Sequence, residues 1–279
     1  MKFSVVIISI MLLTTSCLKE EYDQTSFKER LIVEGAIYNG RSAEVMLSIN
    51  MDYTKEFTED EMINKVVRYA VVTVSDEAQT ETLTCYRDNQ YPTKLVYKGV
   101  YIKGEVGKSY KLNIKYSGRE WDAVTTIPEP EELYDIQTEW VRDTLYRISA
   151  TIKPKDKQRH YMIRCATSRD NDQRPSYLYP TLFGVIDKGT DEHQITINRP
   201  LDYTHILNYT TLFHSQERVY ISFSAIPQEA YDYWSIWENC SINSLNPVFP
   251  VDENPPTNIS NGAQGIWCGY GSTYYIVAP

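Results

Sequence analysis

The stretch Gly107-Lys108-Ser109-Tyr110-Lys111-Leu112-Asn113-Ile114-Lys115 reads as a β-strand. Successive side chains of an extended chain point to opposite sides, so Tyr110, Leu112 and Ile114 share one face. The same period of two recurs upstream. Leu31, Val33 and Ile37 share a face in Leu31-Ile32-Val33-Glu34-Gly35-Ala36-Ile37, as do Val45, Leu47 and Ile49 in Glu44-Val45-Met46-Leu47-Ser48-Ile49. Further strands are expected at 66–75, 80–87, 94–102 and 121–127, with Gly104, Gly107 and Gly118 as turn signals between runs. Thr58-Glu59-Asp60-Glu61 fits a capping box before a short helical turn. Many short strands in this spacing predict an N-terminal immunoglobulin-like β-sandwich over residues 29–128.

Ile127-Pro128-Glu129-Pro130-Glu131-Glu132 marks the boundary, because two prolines cannot continue a central strand. Residues 129–279 form a second, β-rich sandwich-type domain in this reading. Tyr146, Ile148, Ala150 and Ile152 alternate, and so do Val219, Ile221, Phe223 and Ala225. The polar stretch 168–192 reads as long loops with few strands, and 244–266 as an extended loop before a final strand near 272–278. One helix is predicted at 227–241. Pro227 stands at its opening, Glu229 in its first turn, and Ala230, Tyr233, Trp234, Trp237 and Cys240 along one face. That aromatic stripe is expected to pack the helix onto the second sheet.

The fold class is therefore mainly β. The chain carries 23 tyrosines, which suit half-buried pleated surfaces. Its formal net charge of −9 disfavours nucleic acid or an anionic membrane surface as partner.

The first residues have the layout of a secretory signal peptide at 1–16: a positive Lys2, an apolar run from Phe3 to Leu13, and small residues Thr14, Thr15 and Ser16 before Cys17. The apolar run is shorter than the roughly 20 residues that span a bilayer. Cys17 sits where a lipobox places its acylated cysteine, although Thr14 stands where Leu is usual. Cys17 is the expected lipidation site, with 17–28 as a tether and the membrane reached through the lipid anchor.

Four cysteines follow. Cys85 and Cys165 alternate with apolar neighbours and read as small core residues. Cys240 and Cys268 lie in the same C-terminal region and are the candidate disulfide. The absence of CxxC spacing leaves a zinc site unsupported, so no metal or cofactor is assigned. His160, His193, His205 and His214 form no HExxH motif, and no G-x-S-x-G elbow is present. Asp170-Asn171-Asp172 and Asp252-Glu253-Asn254 read as polar turns rather than calcium loops. No catalytic residue is assigned, and the chain is read as a non-enzyme. Tyr177, Tyr179 and Phe183 are candidate ligand contacts, as exposed aromatics in second-domain loops.

Several motifs in order resemble a known family. They are Leu31-Ile32-Val33-Glu34-Gly35, Gly107 to Leu112, Ala123 to Pro128, and Tyr231-Asp232-Tyr233. Further on come Pro247-Val248-Phe249, Thr257-Asn258-Ile259-Ser260-Asn261-Gly262 and Gly269-Tyr270-Gly271. Together they resemble the Bacteroidetes lipoproteins of domain of unknown function 4249, across nearly the whole mature chain. Ala263-Gln264 departs from the family's glycine pattern. The resemblance implies an outer-membrane or cell-surface lipoprotein, often encoded near TonB-dependent receptors, and supplies no catalytic residues. The acidic Glu20, Glu21 and Asp23 after Cys17 resemble the export signal of such lipoproteins. The expected role is a non-catalytic binding or accessory protein beside a TonB-dependent transporter in nutrient capture. A structural or adhesive envelope protein is the second reading and a surface hydrolase the third.

Overall fold

A computed structural model describes residues 27–52, 56–156, 158–169, 174–188, 191–200, 210–243 and 254–278. The signal segment, Cys17 and the tether up to residue 26 lie outside the described residues. So do His205, Asp170-Asn171-Asp172, Asp252-Glu253 and Pro247-Val248-Phe249.

The fold is mainly β, as the alternation predicts. In the first sandwich, β1 (Leu31–Tyr38), β2 (Glu44–Ile49), β6 (Leu95–Lys98) and β5 (Thr84–Arg87) lie side by side. They face β4 (Thr80–Thr82), β3 (Val71–Ser75), β7 (Ser109–Tyr116) and β8 (Arg119–Thr126). Val33, Ile37, Val45 and Leu47 from one layer meet Val72, Tyr110, Leu112 and Trp121 from the other. The predicted strand at 80–87 is divided at Leu83. β4 pairs with β3, β5 pairs with β6, and the Leu83 N–H still donates to the Val72 carbonyl at 2.8 Å. The chain changes layers at this buried corner. The capping box closes helix α1 (Glu59–Asn64), with the Thr58 N–H donating to Glu61 at 2.8 Å.

In the second sandwich, β9 (Leu133–Arg142), β10 (Leu145–Ile152), β13 (His193–Ile197) and β14 (Phe213–His214) form one layer. They face β12 (Tyr179–Ile186), β11 (His160–Arg169) and β15 (Glu217–Ile226). Tyr146, Ile148 and Ile152 meet Tyr161, Ile163, Ile221 and Phe223 in its core. Strand β12 corrects the reading of 168–192 as mostly loop. Pro180 and Gly184 hide it in the sequence, and its register with β11 shifts between Met162 and Arg164. Buried Glu217 accepts from both terminal nitrogens of Arg199 and, at 2.9 Å, from the His214 N–H. Burial alone would raise its pKa, but these donors hold it below the ordinary carboxylate value.

The last strand departs most from expectation. β16 runs Gln264–Val277, eight residues earlier than its predicted start. Its first half pairs in parallel with β1, from Ile32↔Gln264 to Tyr38↔Tyr270. Its second half pairs antiparallel with β15, from Ala225↔Gly271 to Val219↔Val277. One eight-stranded sheet results, ordered β12-β11-β15-β16-β1-β2-β6-β5. The boundary near residue 128 separates the two cores, except that Ile259, Ala263 and Trp267 pack into the first.

The glycines of β16 mark where the connection between sandwiches crosses that strand. A Cβ at Gly269 would sit 2.6 Å from the Thr126 carbonyl oxygen, and one at Gly271 would sit 2.1 Å from that of Pro128. Both are closer than any side chain allows. Three hydrogen bonds fasten the crossing: Gly269 N–H to Thr125 Oγ1 at 2.8 Å, Thr273 Oγ1 to the Glu131 carbonyl at 2.8 Å, and Leu133 N–H to Tyr275 Oη at 2.7 Å.

Helix α2 (Gln228–Asn243) matches the predicted helix to within two residues. It lies on the sheet face opposite the two cores, packing Ala230 and Trp234 against Met162, Ile226, Ile266, Cys268 and Tyr270. The candidate disulfide is not formed: Cys85, Cys165, Cys240 and Cys268 all remain thiols. Cys268 packs in the cluster that holds Ala230 and Trp234. Cys240 stands in the last turn of α2. Cys165 is a buried core residue and Cys85 is half-buried against the first core.

Candidate functional site

Strict alternation gives the long sheet two faces of different chemistry. On β15, Val219, Ile221, Phe223 and Ala225 enter the second core, while Tyr220, Ser222 and Ser224 turn the other way. On β16, Cys268 and Tyr270 meet the helix, and Ser272 and Tyr274 continue the same side. Helix α2 covers one end of this second face. The segment 174–178 borders the other end, and a groove lies there.

At the boundary between covered and open ends stands Arg164, only 2% exposed. It belongs to β11 and points to the polar side, away from Ile163 and Cys165. Its Nη1 donates to Tyr38 Oη at 3.1 Å, and its Nη2 donates to Tyr270 Oη at 3.0 Å and to Glu34 Oε1 at 3.4 Å. Glu34 Oε1 also accepts from Tyr177 Oη at 2.5 Å, and Tyr270 Oη accepts from Trp234 Nε1 at 3.0 Å. The guanidinium carbon lies 4.7 Å from the Tyr270 ring centroid and 5.1 Å from that of Trp234. Burial, and then the charge of Glu34, push the Tyr177 phenol well above its ordinary pKa, so it donates as a neutral group. This cluster joins β1, β11, β16, α2 and the 174–178 segment. It uses side chains from both halves of the chain. Arg164 Nε finds no acceptor among the described residues.

Outward from Arg164, a cavity of about 20 Å³ lies between Tyr38, Glu44, Ser176 and Ser222, room for about one water. It shares Arg41, Ser176, Leu178 and Tyr274 with a groove of about 570 Å³ that opens to solvent. Tyr220 and Arg174 form the rest of the groove's polar wall. Arg41 lies 5.2 Å from the Tyr38 ring and 5.6 Å from the Tyr274 ring, and donates to Tyr274 Oη at 3.2 Å. Its other contact is Glu44 at 3.6 Å. Arg174 stands 5.9 Å from the Tyr220 ring. Hydrogen bonds from Ser168 and Arg218, followed by the charges of Arg218 and Arg174, hold the Tyr220 phenol below its ordinary pKa. No Asp or Glu lines the groove among the described residues. The arrangement can hold a negative group by charge-assisted hydrogen bonds and can present flat aromatic walls to a ring.

The residues singled out from sequence fall differently. Tyr177 is not an exposed loop aromatic. It is 8% exposed, packs against Tyr91 at 5.3 Å and belongs to the Arg164 cluster. Tyr179 and Phe183 are exposed but lie on β12 rather than in a loop, and neither lines the groove. His160 is buried and stacks on Tyr231 at 4.0 Å, a structural placement. Arg41, Arg164, Arg174, Tyr220 and Tyr274 are not marked out in the sequence, because they come from five separate segments. The available signal was the polar side of β15, where Tyr220, Ser222 and Ser224 alternate with the apolar run. Among the described residues, no group of three or more His, Cys, Asp or Glu gathers to hold a metal. No described helix is long and apolar enough to cross a membrane.

These features define a mainly β protein of two sandwiches sharing one sheet, with an arginine–tyrosine groove on that sheet's outer face. The chain belongs to the family described as "Domain of unknown function (DUF4249)", whose model matches residues 19–274. No curated protein matches it. A solved structure titled "Crystal structure of chicken CNTN1 FN1-FN3 domains" is similar at 12% identity and a TM-score of 0.24. The match covers 88% of this chain and 65% of that one. The two-sandwich fold rests on the strand ladders and not on that likeness.

Proposed function

We propose that the mature chain is a non-catalytic binding protein, held in the outer membrane through acylated Cys17 and displayed at the cell surface. In this role it works beside a TonB-dependent transporter and captures a nutrient for it, as a Bacteroidetes surface lipoprotein. The observation that carries the binding role is the groove, lined by Arg41, Arg174, Tyr220 and Tyr274 and backed by the rigid Arg164 cluster. Its volume of about 570 Å³ lies within the range of small-molecule sites, about 300–1,000 Å³. Tyr220 and Tyr274 stand on strands of a packed sheet, so these walls are in place before a ligand arrives, which lowers the ordering cost of binding. The anchor follows from the segment before Cys17, since several acyl chains on one cysteine exceed the two-signal threshold for stable membrane attachment.

The test is an affinity pull-down of the tagged, surface-labelled full chain from its native cells in mild detergent. Stoichiometric recovery of an outer-membrane transporter is the expected result. Cys17→Ala is expected to abolish palmitate labelling and release the chain from the membrane fraction. Recovery of no transporter, together with loss of cell attachment on deletion, would replace this role with an adhesive one.

A further inference from the structure

We propose that the groove takes an anionic saccharide, a sugar carrying a carboxylate or a sulfate ester. This deepens the binding role above and rests on it. Two arginines line the site, Arg41 where it meets the small cavity and Arg174 on its exposed side, and a third, Arg218, hydrogen-bonds the Tyr220 hydroxyl from the same side of β15. They stand on a chain whose formal net charge is −9, so the groove is a local reversal of the protein's charge. A concave site of one sign focuses the field on an incoming ion of the opposite sign. Guanidinium groups present a planar fork of donors that matches a carboxylate or sulfate.

The remaining lining answers to a polyhydroxylated ring rather than a bare ion. Tyr220 and Tyr274 supply flat apolar walls, each ending in a hydroxyl that can donate or accept. Ser176 and Leu178 add to that mixed lining. At the inner end, the small cavity leads to Arg164, which is buried and has an unused Nε–H among the described residues. The groove is also several times larger than a free sulfate or phosphate needs. Size, charge and mixed lining together select an acidic sugar.

The experiment is isothermal titration of the full chain in detergent with three probes: trigalacturonate, 6-sulfated N-acetylglucosamine, and neutral maltotriose. The expected result is that at least one acidic probe binds, that maltotriose binds on the order of tenfold or more weakly, and that added salt weakens the acidic probe. Whichever acid binds more tightly identifies carboxylate or sulfate as the group recognised. Arg174→Gln and Arg41→Gln are each expected to weaken that probe on the order of tenfold, the size of one lost charge-assisted hydrogen bond. Arg87→Gln, the same charge change on exposed β5 outside the groove, is expected to leave it unchanged. Unfolding curves of the variants serve as the check on folding. Failure of both acids to bind, equal binding of maltotriose, or indifference to Arg174→Gln would overturn the assignment. Recovery of a transporter in the pull-down without saccharide binding would remove this ligand class and leave the accessory role standing.

Discussion

Trp267→Ala is expected to destabilise the protein by about 3–5 kcal/mol, the usual cost of truncating a large buried aromatic to alanine. Trp267 is fully buried in the first core, although it lies near the end of the chain. Its ring fills the space over Gly35, where a Cβ would stand 2.7 Å from Cε3. Its Nε1 donates to the Tyr110 carbonyl at 2.9 Å, and its backbone exchanges hydrogen bonds with the Asn258 side chain at 3.0 and 2.8 Å. Alanine removes the apolar area, opens a cavity between two β layers and leaves the Tyr110 carbonyl one donor short. Urea denaturation gives the measurement, with Tyr69→Ala as the control. Tyr69 is 89% exposed, and its loss is expected to stay within about 0.5 kcal/mol. An equally small effect of Trp267→Ala would mean that β16 is not part of the first core.

Arg164→Met is expected to cost about 1.5–3 kcal/mol, the loss of charge-assisted hydrogen bonds from a buried guanidinium whose acidic partner Glu34 is itself partly exposed. Methionine keeps much of the stem packing and still contacts the rings of Trp234 and Tyr270. It removes the donors to Tyr38 and Tyr270 and leaves the Glu34 carboxylate with the Tyr177 hydroxyl as its remaining side-chain donor among the described residues. The partner change Glu34→Gln removes that uncompensated charge. The double variant Arg164→Met/Glu34→Gln is therefore expected to be more stable than Arg164→Met alone, and the double-mutant cycle should return a coupling of about 1–3 kcal/mol. Additive losses would show that the two groups do not act as a pair.

The sequence carried much of this fold wherever one periodic signal acted alone. The alternations at 31–37, 108–115 and 219–225 place their residues on the faces the structure buries. The capping box and the helix beginning near Pro227 depend on neighbours within a turn, so they too were legible. β16 was not, because Gly265, Gly269 and Gly271 break the strand signal. At Gly269 and Gly271 the lost side chains make room for another stretch of backbone, a reason that no local window contains. Tyr177 is buried, against its reading as an exposed loop aromatic, for a related reason. A polar loop around an aromatic reads as exposed, but Glu34 and Arg164 supply a buried polar partner from far along the chain. The groove was hidden because Arg41, Arg174, Tyr220 and Tyr274 meet only after β1, β15 and β16 have joined.

One strand makes a single sheet of two sandwiches, so that the groove beside the 174–178 segment has a fixed floor. Hydrogen–deuterium exchange across a denaturant series tests it most directly, since protection reports which segments open together. The expected result is that peptides from β1, β16 and β15 lose protection at the same denaturant concentration, as one cooperative unit. If β1 and β2 opened in a separate transition while β15 and β11 stayed protected, the shared sheet would not hold the halves together, and the account would be contradicted.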